Sequence, residues 1–156
     1  MKPTEPPVYA DISLQDIIQI QPLWEKLNTL HYQDSIYFKD HYANFTFEKR
    51  VELIHRMPAE QVKITLVMQN GAALGYCLST VADGSGEVDS LYVDEALRGQ
   101  GVGKRLVEEH VAWLKEKGCD KIRLVVSYGH ESVLDFYHAC GFFERLTVLE
   151  YKAGRD

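Results

Sequence analysis

With 156 residues, 46% of them hydrophobic and 26% charged, the chain has an ordinary globular composition and enough length for one sizeable core. A formal charge of −6 argues against a dedicated nucleic-acid binder, which would carry a basic face, and no apolar run reaches transmembrane length. The cysteines Cys77, Cys119 and Cys140 are far apart and lack C-x-x-C spacing, which speaks against a disulfide framework or a metal site and for free thiols in the cytoplasm.

Residues 1–7, rich in proline, read as a flexible lead-in, and 8–156 as a single domain. Val8 to Ile12 alternates as a first strand. Ser13 with Asp16 resembles a capping box that opens a helical region to about Tyr32, which Pro22 should kink or restart. His31 to Phe47 is aromatic and polar without a clean period. A helix follows from about Phe47 to Met57, with Val51, Leu53 and Ile54 as its apolar side. From Gln61 the pattern turns to strands. Val62 to Met68 alternates, Asn70-Gly71 is a hairpin turn, Ala72 to Val81 returns, and Asp83 to Gly86 turns again into a strand over Glu87 to Val93. Val102, Leu106, Val107, Val111 and Leu114 form a helical stripe ended by Gly118. Lys121 to Val126 reads as a strand, His130 to Cys140 as a helix, and Phe142 to Tyr151 as a final strand. The order implies a right-handed parallel crossover joining 87–93 to 121–126, with ligands beyond the carboxyl ends of those strands.

The run Arg98-Gly99-Gln100-Gly101-Val102-Gly103-Lys104 lies at that end. Glycines converging on a helix N-terminus, with Arg98, Lys104 and Arg105 adding charge, suit a phosphate. A triphosphate P-loop fails because Arg98 stands where the first glycine is needed and Arg105 where a hydroxyl is needed. A dinucleotide fingerprint fails because its last glycine would fall on Lys104 or Leu106. The remaining pattern, Arg98-x-x-Gly101-x-Gly103, resembles the pyrophosphate loop of the GNAT superfamily of N-acetyltransferases. A second stretch, Tyr137-x-x-x-Gly141-Phe142, resembles that family's other signature at the right distance, and together the resemblance covers about residues 60–151.

The resemblance implies an α/β fold: a mostly antiparallel central sheet with one splayed parallel pair, flanked by about four helices. It implies acetyl-CoA as co-substrate, held by main chain at Leu91, Tyr92 and Val93 and by Arg98, Gly99, Gln100, Gly101, Val102, Gly103 and Lys104. His130 stands where relatives carry a cofactor-contacting Asn. Acetyl transfer needs a neutral amine, and an ordinary amine has a pKa of about 10, so a base is required. Glu87, and after it Asp89, match the family's carboxylate positions and share one strand face. Tyr137 matches the general acid. The other five histidines read as surface or helix-face residues. The aromatic run Tyr32 to Phe47, with Asp34, Asp40 and Glu48, is a candidate amine receiver. The acceptor is a small-molecule or protein amine, and the resemblance allows a homodimer, with no nucleic acid, membrane or metal. A non-catalytic acyl-CoA sensor is the rival reading.

Overall fold

The computed structural model describes residues 5–154, so Met1 to Thr4 of the lead-in lie outside the described residues. The strands are β1 (Val8–Ile12), β2 (Val62–Gln69), β3 (Ala72–Ala82), β4 (Ser85–Val93) and β5 (Lys121–Arg123). The helices are α1 (Gln21–Asp34), α2 (Lys39–Asn44), α3 (Phe47–His55), α4 (Val102–Glu116) and α5 (Leu134–Ala139). The sheet runs β1-β2-β3-β4-β5, antiparallel except for the parallel pair β4–β5, which α4 connects. This is the mixed α/β sheet that the motifs imply, with five helices where about four were expected.

Local chemistry accounts for the joints. Asn70 and Gly71 (φ 52° and 79°), and Asp83 and Gly84 (φ 52° and 75°), take the left-handed backbone that two-residue hairpins require. Pro22 restarts the chain as α1 after a 3-10 stretch at Leu14–Ile20. Ser13 does not cap that stretch through its backbone amides; its hydroxyl donates to Asp16 Oδ2 at 3.1 Å. Thr46 caps α3, accepting from Lys49 N.

The two faces of the sheet bury separate cores. On one, Ile64, Leu66, Tyr76, Leu78 and Tyr92 pack against Ile20 and Trp24, and against Phe47 and Ile54 of α3. On the other, Val67, Cys77, Val81 and Val88 pack against Leu97, Val102, Leu106 and Leu114. The α4 stripe also includes His110, the helix-face rather than the surface alternative for this histidine, while Leu53 of α3, expected on the apolar side, faces solvent. His110 is fully buried because both ring nitrogens are bonded, to Thr65 Oγ1 at 2.9 Å and Ser79 Oγ at 2.7 Å. Thr65 donates to Asp11 and so must accept from Nε2–H, which leaves Nδ1 to accept from Ser79.

Two expected strands come out differently. The β4–β5 ladder stops at Glu87↔Arg123, so β5 covers Lys121–Arg123 and Leu124 to Val126 run on unpaired. The cause lies in β4: between Leu78/Ser79 the β3–β4 register shifts, and Asp89 is the extra residue of a bulge. A bulge bends its strand, here just where the parallel partner is lost. The final strand over Phe142 to Tyr151 does not form. Alternation there puts Phe143, Arg145, Thr147, Leu149 and Tyr151 on one side and Glu144, Leu146, Val148 and Glu150 on the other. Neither side is consistently apolar, so neither offers a face to bury, and residues 143–151 stay exposed.

Candidate active site

The bulge organises the site. Val88 faces the α4 core, and Leu91 and Val93 pack against that same core, whereas Tyr92 faces the opposite one. Normal alternation cannot connect Val88 to Leu91; the bulge turns Asp89 and Ser90 to one side, beside Glu87. These three residues line a cavity of about 350 Å³ whose opposite wall comes from α1 to α3 and the segment after β5: Trp24, His31, Tyr42, Phe45, Arg50 and Ser127 among others. Asn28 pins that wall by donating to the carbonyls of Tyr42 and Phe45, and Tyr42 Oη meets Ser127 Oγ at 2.5 Å.

Asp89 is the most buried carboxylate there. Burial pushes its carboxyl up to about 7, and Glu87 beside it adds to the rise. Thr80, donating to Oδ2 at 2.6 Å, and Arg50, with Nη2 3.3 Å from Oδ1, hold it from rising further. Glu87 is more open and faces Arg123 at 3.5 Å. Of the acidic residues in the aromatic run, Asp40 and Glu48 lie on the surface away from this cavity, and Asp34 is engaged by His130. The cavity carboxylates are thus Glu87 and Asp89, while Tyr42 and Phe45 of that run do line it.

The glycine loop follows β4. Asp94 caps a turn at Glu95–Leu97, Leu97 is buried as its anchor, and Gly101 (φ 78°) opens α4. A Cβ on Gly101 would meet nothing within 4 Å, so its glycine answers to backbone conformation and leaves open space beside the helix N-terminus. Gly103 has a different cause: a Cβ there would press on the Phe136 ring of α5 at 3.2 Å. Arg98 braces the loop, donating from Nε to Val93 O at 3.0 Å, and Gln100 donates to Ala96 O. Lys104 is exposed, 3.9 Å from Glu108. Arg105 turns away, with its guanidinium over Tyr9 and bonded to Glu109, so its charge does not serve the loop. Beyond Glu87 the backbone of β4, including Leu91, Tyr92 and Val93, has no β5 partner. The open strand edge, the glycine amides and Lys104 together fit an extended ligand carrying a pyrophosphate.

Tyr137 stands on α5 against Phe136 and Phe142, and its hydroxyl has no hydrogen-bond partner among the described residues. Burial, with smaller effects from Cys77 and Cys140, raises its phenol well above the ordinary value. His130 is turned toward α1: Nδ1 is 2.7 Å from Asp34 Oδ2 and the ring meets His31 edge-on. The chain reaches Asp34 so closely that a Cβ on Gly129 would fall 2.0 Å from its carbonyl oxygen. His31 lies on α1, at a helix-face position turned into the cavity wall. Burial first, then His130, lowers its pKa to about 4, and its buried Nδ1 has no partner.

Arg50 is the functional candidate that the sequence reading passed over. Its signal was present: Phe47, Arg50 and Ile54 lie at helical spacing on the buried side of α3, an arginine in an apolar stripe.

Among the described residues no helix is long and apolar enough to cross a membrane, and no group of three or more His, Cys, Asp or Glu side chains could hold a metal ion. Mycothiol acetyltransferase of Propionibacterium freudenreichii is 34% identical over 85 residues, 52% of this chain and 27% of that protein. Glucosamine 6-phosphate N-acetyltransferase 1 of Oryza sativa subsp. japonica is 37% identical over 60 residues, 38% of this chain and 34% of that protein. These alignments span only about a third or less of those relatives. The fold is shared with aminoglycoside N-acetyltransferase AAC(6')-Iy in complex with CoA, at TM-score 0.70 and 15% identity over 99% of this chain and 98% of that one. It is also shared with glucosamine-6-phosphate N-acetyltransferase of Arabidopsis thaliana, at TM-score 0.62 and 17% identity over 96% and 99% of the two chains. The acetyltransferase (GNAT) family model matches residues 24–142, the greater part of the chain, and the chain belongs to that family.

Proposed function

We propose that the chain transfers an acetyl group from acetyl-CoA to a primary amine, by direct attack with both substrates bound. The observation that carries this reading is Asp89: a buried carboxylate with its pKa raised to about 7, in a cavity at the point where β4 and β5 part. Leu91 to Val93 would hold the co-substrate's arm by main chain, and the amides of Gly99 to Gly103 with Lys104 would hold its pyrophosphate, Arg98 bracing the loop. Bound there, acetyl-CoA supplies an acetyl group activated as a thioester.

The remaining chemistry belongs to side chains. Asp89 accepts the proton of the incoming ammonium. Moving it from an amine of pKa about 10 to a group near 7 costs about 4 kcal/mol, which desolvation of the ammonium against Trp24 and Phe45 reduces. Burial of Asp89 therefore favours it over Glu87 as the base; Glu87 stands beside it to accept the proton in turn. Tyr137, as the general acid, presents its O–H toward the departing sulfur. A thiol of pKa about 8.5 does not need full transfer from so weakly acidic a phenol, and a hydrogen bond that strengthens with charge suffices. His130 in this reading shapes the acceptor wall through Asp34 and contributes little to the cofactor.

The reading includes a cytoplasmic location, with Cys77, Cys119 and Cys140 as free thiols, and a homodimer. Light scattering that returned a monomer would remove the homodimer. The activity is tested by free-thiol release from acetyl-CoA with a panel of primary amines. Turnover with at least one amine, abolished in Asp89→Asn, is the expected result. Binding of acetyl-CoA with no turnover on any amine would return the sensor reading.

A further inference from the structure

Among the described residues lining the cavity Arg50 is the one lysine or arginine, and its side chain is only a quarter exposed. It makes no side-chain hydrogen bond among the described residues; its contact is the single approach of Nη2 to Asp89 Oδ1 at 3.3 Å. A guanidinium built to lock a carboxylate sits at about 2.7–2.9 Å, commonly through two parallel N–H bonds. Here Asp89 is already held on Oδ2 by Thr80. Five donors of a mostly buried cation thus stand over the cavity with one loose ion pair between them.

The charge around Arg50 is also incomplete. Asp89 carries only part of its charge at neutral pH, and Glu87 is turned toward Arg123. The facing wall includes the neutral Trp24, Tyr42 and Phe45 and an uncharged His31, with His41 at its edge. A cation held this way is stabilised by an incoming anion more than by any neutral ligand.

Resting on the acetyl-transfer reading of the same cavity, we infer that the acceptor is a small amine that also bears an oxyanion, a carboxylate or a phosphate, which Arg50 receives while the amine lies against Asp89. The fork geometry suits both anions, and the short reach from Arg50 to Asp89 places the anion within a few bonds of the amine.

The experiment compares matched pairs: β-alanine against its isostere β-alaninamide for the carboxylate, and phosphoethanolamine against ethanolamine for the phosphate. The kcat/KM values are corrected for the fraction of free amine. At least one anionic member is expected to exceed its neutral partner by about tenfold or more, as a charge-assisted pair would give. Arg50→Gln should bring that ratio close to unity even where it slows all acceptors alike, and Arg50→Lys should keep part of it. Calorimetric binding of the same pairs reads the preference without turnover. Anion-selective binding that Arg50→Gln abolishes, with no acetyl transfer, would sink the activity and keep the inference. Equal binding of both members of both pairs, or a preference that survives Arg50→Gln, would overturn the inference and leave the activity standing.

Discussion

Removing the Thr80 hydroxyl should move the proposed base, Asp89, out of the neutral range. Thr80 Oγ1 donates to Asp89 Oδ2 at 2.6 Å, and this bond holds down a carboxyl that burial and Glu87 push up to about 7. Hydrogen bonds to charged groups contribute about 1.5–3 kcal/mol. At 1.36 kcal/mol per unit this corresponds to a rise of about 1–2 units in Thr80→Val, and the lower figure applies if water enters the space. A base at about 7 is half ionised at pH 7, whereas one at about 8 is roughly a tenth ionised, so kcat/KM at pH 7 should fall about fivefold. At pH 9 the two proteins should differ by less than about twofold. The assay is kcat/KM against pH by thiol release, run with two acceptors whose amine pKa values differ by about two units. The limb belonging to Asp89 stays fixed between acceptors and shifts upward in the variant. A limb that tracks the amine, or one unmoved by Thr80→Val, would refute Asp89 as the base.

Other residues give sharper separations of role. Tyr137→Phe should lower kcat at least about tenfold with acetyl-CoA affinity nearly unchanged, because it removes the O–H proposed to act on the departing sulfur; unchanged turnover in stopped-flow assays would exclude it. Gly101→Ala forces a side chain into φ 78°, at a cost of roughly 1–2 kcal/mol, and should weaken acetyl-CoA binding in titration while acceptor KM holds. His110, its pKa held down to about 3 by burial, keeps an uncharged ring that the unfolded chain would protonate below about 6.5. Its contribution is therefore full above that pH and declines as the pH falls toward 3, by about 2–3 kcal/mol at pH 4.5. His110→Gln should flatten the acid arm of urea-unfolding stability, and parallel acid arms would contradict this.

What could be read from the sequence follows from how local each signal is. The Asn70-Gly71 hairpin, the Pro22 restart and most of the α4 stripe each depend on a few neighbouring residues and form where the pattern put them, while the second turn is tighter than the expected Asp83 to Gly86, with β4 already begun at Ser85. The loop glycines were found by spacing, although their causes differ: Gly101 for its backbone, Gly103 for the ring of Phe136. The bulge at Asp89 escaped because alternation from Glu87 to Val93 looks regular until β3 is laid beside it. Its consequences escaped with it: the curtailed β5, the open β4 edge, and Ser90 sharing a side with Asp89. His110 and Arg50 illustrate a common blind spot, since a polar residue in an apolar stripe is legible only as an anomaly. Its partner, whether Ser79 and Thr65 or the cavity over Asp89, comes from distant chain. Phe142 to Tyr151 shows the opposite error, in which composition suggests a strand but no face of it can be buried. The motif proposed to hold the co-substrate thus rests on short-range glycine spacing, while the cavity proposed for the acceptor rests on long-range pairings such as Arg50 with Asp89. That division explains why a single sequence can name the donor and leave the acceptor to the cavity's charge.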